Sequence, residues 1–131
     1  MSLLQSLYLS HRPDQAAHDT LVRRTAAAMR AAGIHDVQAD VAGYVTPTKI
    51  VWVATQKGHV PDLLSAHEIV EVETADSISS PHTEEQCRLF AAYASQHRKR
   101  FTVVVPVGYK LRMQVQLVLI WGIYGVRVIE M

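Results

Sequence analysis

A single cysteine, Cys87, is all the thiol that 131 residues contain. A lone thiol cannot close an internal disulfide, which excludes a disulfide-stapled scaffold and gives no sign of an oxidising compartment. No base is evident beside Cys87, so it reads as a small core residue and not as a nucleophile. Long apolar runs are missing too. The most apolar stretch, residues 115–123, is far too short to span a bilayer. The first ten residues have neither the basic start nor the apolar length of a signal peptide. The expectation is a soluble, cytoplasmic protein with no membrane partner. Net charge is scarce: 13 basic against 12 acidic residues leave +1, which does not advertise a polyanion as partner. A local basic patch stays open, because distribution matters more than the sum. None of the seven histidines pairs at the four-residue spacing of a helical zinc motif, so they read as surface or locally hydrogen-bonded groups. There is no internal repeat, low-complexity segment or linker.

What is present is core-forming material. Hydrophobic residues make up 49% and charged residues 19%, which places the chain among folded domains and not disordered segments. The length suits one domain over residues 1–131. Residues 14–32 predict a helix, with Leu21, Val22, Ala26 and Met29 on recurring three- and four-residue spacings. Pro13 and Asp14 supply its start and Gly33 its stop. Residues 37–45 alternate as a half-wet strand, and residues 49–55, β-branched and aromatic, predict a buried strand. Residues 60–64 and 68–74 predict two strands around a short turn. A helix follows over 83–97, with Pro81, Glu84 and Glu85 at its entry. Residues 101–106 have no polar face and predict a central strand covered on both sides. Residues 108–121 predict a third helix and 125–129 a last strand. This order implies an α/β fold with a mixed sheet flanked by helices.

The chemistry concentrates in residues 59–73. Alternation along a strand puts Ile69, Glu71 and Glu73 on one face and turns Val70 and Val72 into the core. Two carboxylates so close on one face repel each other, a costly arrangement unless something cationic sits between them. Asp62, after Pro61 at the start of the preceding strand, reaches the same end across a tight hairpin. Three converging carboxylates suit a hard cation, which takes oxygen ligands with waters completing its shell.

With these residues in place, the chain resembles the PD-(D/E)XK nuclease superfamily, the restriction-endonuclease-like fold with an αβββαβ core and a mixed central sheet flanked by helices. Pro61-Asp62 followed by Glu71-Val72-Glu73 looks like its signature in the version with Glu at the position usually held by Lys. The resemblance spans most of residues 14–107. It implies that Asp62 and Glu71 hold Mg²⁺ (or Mn²⁺), with Glu73 as a general base or further ligand. It implies hydrolysis of phosphodiester bonds, in DNA more than RNA. Gln86-Cys87-Arg88-Leu89-Phe90 looks like the Gln-x-x-x-Tyr motif of one group in the family, with Phe for Tyr, so Gln86 is a candidate for orienting a ligand or touching phosphate. Asp19 on the first helix is a candidate acidic neighbour of the metal. Candidate phosphate contacts are the run His97-Arg98-Lys99-Arg100 together with Lys57, Arg88, Lys110 and Arg112. The apolar surplus of residues 111–123 suggests a homodimer. The alternative is a catalytically inactive domain of the same fold that binds nucleic acid or a protein partner; a third is an unrelated metal-binding or regulatory domain.

Overall fold

The computed structural model describes residues 15–131. The predicted start signal at Pro13 and Asp14 lies outside them. Helix α1 (Gln15–Ala31) buries Leu21, Val22, Thr25, Ala26 and Met29. That stripe recurs every three to four residues, which is why the segment coils as a helix with one dry face. Gly33, at φ 91°, ends it in the left-handed conformation, and the Ile34 N–H reaches back to the Met29 carbonyl at 3.0 Å.

Seven short strands follow: β1 (Gln38–Ala39), β2 (Ile50–Val51), β3 (Gly58–His59), β4 (Leu63–Leu64), β5 (Glu68–Val72), β6 (Arg100–Val105) and β7 (Arg127–Glu130). Helix α2 (Pro81–His97) joins β5 to β6. Helix α3 (Lys110–Val115), continued by a wider π-helical turn (Gln116–Ile120), joins β6 to β7. Five strands form one sheet in the order β1-β4-β5-β6-β7, and β2 and β3 pair separately. β4 is antiparallel to both neighbours, whereas β5, β6 and β7 run parallel. The architecture is therefore a mixed five-stranded sheet flanked by helices.

Both faces of the sheet are covered. On one, α1 packs Leu21, Val22 and Ala26 against Leu63, Val70, Val72 and Val104. On the other, Leu89 and Phe90 of α2 and Met113 and Leu117 beyond β6 meet Ile69, Phe101, Val103 and Val105. Every residue of β6 after Arg100 is buried, as its unbroken apolar run predicts.

Several predicted strands are shorter than expected: residues 60–64 contribute only Leu63–Leu64 and residues 68–74 only Glu68–Val72, and two others depart further. Residues 37–45 contribute only Gln38–Ala39, because the chain turns back and the Ala39 N–H bonds the Val45 carbonyl at 3.0 Å. Residues 49–55 are not a buried strand of the main sheet. Only Ile50 reaches the core, while Val53 is 86% exposed. β propensity selects an extended backbone but not the sheet it joins, and here the partner is the two-residue β3.

Candidate functional site

The strand hairpin β4–β5 is set by its register, Leu63 opposite Val70 and Leu64 opposite Ile69. One step further, Asp62 meets Glu71. The Asp62 backbone N–H donates to Glu71 Oε1 at 2.8 Å, and the Val72 N–H donates to Asp62 Oδ2 at 2.8 Å. Glu73, just past the end of β5, shares the side of Glu71. The three predicted carboxylates thus come together at the carboxyl ends of the parallel strands, the end where open α/β sheets bind ligands. The prediction that only Val70 and Val72 face a core is corrected: α2 covers the opposite face as well, and Glu71 and Glu73 are 2% and 4% exposed.

Burial dominates their electrostatics. It pushes the Glu71 carboxyl well above the usual range, helped by the charges of Asp62 and Glu73, against the pull of the Asp62 N–H. Glu73 rises to about 7, mainly by burial. Hydrogen bonds donated by the Ser77 hydroxyl at 2.5 Å and the Thr83 hydroxyl at 3.2 Å, both to Glu73 Oε2, oppose that rise. Cys87, buried on α2, is raised by burial and then by the charges of Glu73 and Glu71, so it is a neutral thiol.

The cation in the site is one the sequence did not reveal. His18 Nε2 lies 3.2 Å from Asp62 Oδ2, and its Nδ1 lies 3.3 Å from Asp19 Oδ1. Burial pulls the imidazole down, yet the hydrogen bonds and charges of Asp62 and then Asp19 outweigh it and carry it up to about 9. Asp19, the expected acidic neighbour, therefore acts through His18. The position of His18 in the first turn of a helix whose buried face leads to the sheet was the only available signal. Asp40 is a second addition. Its N–H donates to the Asp62 carbonyl at 2.9 Å, and burial followed by the charges of Asp62 and Asp19 raises its carboxyl.

Other candidates stand apart. Gln86 is half-buried on α2, with no hydrogen bond to the carboxylates among the described residues. The basic run lies at the amino end of β6, where Arg100 pairs in register with Glu68, the far end of the sheet from Glu71. Lys99 there donates to the Ser65 carbonyl at 3.0 Å and so clamps the β4–β5 turn. Arg88 is held by Glu84 at 2.6 Å and the Trp121 carbonyl at 2.9 Å. The expected shared groove of these cations is thus corrected: the basic run lies at the opposite end of the strands, while Lys110 and Arg112, on the helix that leaves the carboxyl end of β6, and Lys57, five positions before Asp62, lie towards the carboxylate end.

As they stand, no three His, Cys, Asp or Glu side chains among the described residues form a ready metal centre. The expected ligands Asp62, Glu71 and Glu73 are gathered, but an oxygen of each is engaged in the bonds above. The donor chemistry nonetheless fits a divalent cation. Three carboxylates gather beside a single imidazole, which contacts Asp62, and burial together with their mutual repulsion raises Glu71 and Glu73, a strain that a bound cation would relieve. Comparison with protein-family models, curated proteins and solved structures gives no match. No described helix is long and apolar enough to cross a membrane.

Proposed function

We propose that this chain is a metal-dependent nuclease domain of the PD-(D/E)XK type, hydrolysing phosphodiester bonds in DNA more than in RNA. The observation that carries the reading is the convergence of Asp62, Glu71 and Glu73, buried, at the junction of β4 and β5. The surrounding order α1, β1, β4, β5, α2, β6 supports it, since it follows the αβββαβ pattern with β2 and β3 set aside as an insertion.

Asp62, Glu71 and Glu73 would hold Mg²⁺ or Mn²⁺, which supplies charge neutralisation at the phosphate oxygens. The chain's own residues do the rest. Glu73, poised at about 7, takes up a proton near neutral pH, the range in which a general base is effective. Ser77 and Thr83 fix its orientation. His18 Nε2, 3.2 Å from Asp62 Oδ2, holds that side chain in place.

The test combines calorimetric titration of Mn²⁺ and Mg²⁺ with cleavage of single-stranded, duplex and branched DNA, comparing wild type with Glu71→Gln. Metal binding and cutting that both disappear in the variant are expected. Cutting that survives Glu71→Gln unchanged overturns the reading. Absence of metal binding at millimolar concentration moves it to the catalytically inactive, nucleic-acid- or protein-binding alternative, which the engaged state of the carboxylate oxygens favours.

A further inference from the structure

Residues 41–61 contain no Asp or Glu in a chain that otherwise balances its charges, yet they carry Lys49, Lys57 and His59. Their centre is the β2–β3 hairpin. Both lysines are exposed, and neither enters an ion pair among the described residues. At the tip, Val51, Trp52 and Val53 are consecutive and 37%, 38% and 86% exposed. Isolated exposed apolar residues are ordinary, but three in a row on a projecting turn call for a partner.

The tip is built and not loose. The Trp52 N–H donates to the Lys57 carbonyl and the Gln56 N–H to the Trp52 carbonyl, each at 2.8 Å. The Gln56 side-chain amide donates to the Val53 carbonyl at 2.8 Å. Gln56 itself sits at φ 59°, a conformation that non-glycine residues adopt at a cost. A preformed aromatic surface close in the chain to exposed cations is the recipe for binding an unpaired strand: bases stack on the ring, and the cations follow the phosphates. A duplex hides its base faces and offers no such contact.

The hairpin also has the right place. Its second strand ends at His59, and the chain continues through Val60 and Pro61 directly to Asp62. Asp62 is five positions after Lys57, so their Cα atoms are at most about 18 Å apart. That is within roughly five stacked nucleotides. At its base, His59 Nε2 lies 3.6 Å from Glu85 Oε1, and its ring meets His82 edge-on at 5.1 Å. Both partners belong to the first turns of α2, the helix end that also binds Glu73 through Thr83.

We infer that the β2–β3 hairpin is a stacking platform for single-stranded or frayed nucleic acid, with Trp52 against a base and Lys49 and Lys57 against phosphates. The inference rests on the nuclease reading for its placement beside the carboxylates. The substrate it selects is an unpaired strand or a duplex end that opens, in preference to the interior of a duplex.

Binding is tested without divalent metal, by fluorescence anisotropy of a labelled twelve-nucleotide oligothymidylate and a blunt twelve-base-pair duplex whose G·C-rich ends stay closed. The wild type is expected to prefer the single strand. Trp52→Ala should weaken single-strand binding about tenfold, and Trp52→Phe should restore most of it. Joint Lys49→Ala and Lys57→Ala should flatten the salt dependence of binding. Binding indifferent to Trp52→Ala, equal affinity for the blunt duplex, or a free protein whose sedimentation changes with Trp52→Ala overturns the inference; the last would mark a protein interface. Hydrolysis of bis(p-nitrophenyl) phosphate with Mn²⁺, wild type against Glu71→Gln, tests the carboxylates separately. Its absence in the wild type counts against the nuclease reading, while the anisotropy result decides the platform by itself.

Discussion

His18 and Asp62 set the electrostatics of the site at the scale of single residues. Burial lowers the imidazole, and Asp62 followed by Asp19 outweighs it, so it stands at about 9. Asp62→Asn removes that charge, so the imidazole should titrate well below 9, read from its ring carbon–proton signals by NMR. A His18 pKa unmoved by the substitution would show that Asp19 alone holds the proton. Stability should follow the same groups. Glu73 is raised from 4.5 to about 7, so the folded state binds the proton more tightly, and stability declines as pH rises from 4.5 through 7. His18 is raised from 6.5 to about 9, so its contribution is complete below 6.5 and fades as pH rises through 9. Both slopes have one sign. The metal-free protein should melt at a lower temperature at pH 9 than at pH 6, measured by calorimetry, and millimolar Mn²⁺ should reverse the loss if the carboxylates bind it.

Among the elements, the β2–β3 hairpin depends on one glycine. A Cβ built on Gly58 would collide with the Ile50 carbonyl oxygen and the Val51 side chain. The obstacle is backbone of the paired strand, which cannot swing aside as a side chain does. Gly58→Ala should therefore open the hairpin, at a cost of about 1–3 kcal/mol in chemical denaturation. It should leave the five-stranded sheet folded, because β2 and β3 pair only with each other. Amide exchange is the discriminating measurement: faster exchange confined to Trp52 and Gln56 is expected, whereas loss of protection in β5 and β6 would show the hairpin to be integral to the core.

For the whole molecule, the open question of surface is the helix after β6. Met113 and Leu117 enter the core, but Leu111, Val115, Val118 and Leu119 remain 72%, 37%, 41% and 76% exposed. They recur at three- and four-residue spacings, which makes a continuous apolar stripe. Self-association through this stripe is the expected outcome. Sedimentation should show a dimer for the wild type and a monomer for Leu119→Asp; a wild type that stays monomeric at tens of micromolar would remove the homodimer from the account.

Local pattern alone located the helices, read at 14–32 and 83–97 against the observed Gln15–Ala31 and Pro81–His97, the strand β6 buried after Arg100, and the approach of Asp62 to Glu71. Periodicity, caps and strand alternation act over a few residues, and a hairpin register is a local property. Tertiary structure decided what lies far apart in the chain. It assigned residues 49–55 to a side hairpin, since a β-branched run carries no address for its partner. It brought His18 to Asp62 across 44 residues, where no spacing rule connects them. It carried the basic run to the opposite end of the sheet by making β6 parallel to β5. It also closed α2 over Glu71 and Glu73, so that burial, and not mutual repulsion alone, governs how those carboxyls hold their protons.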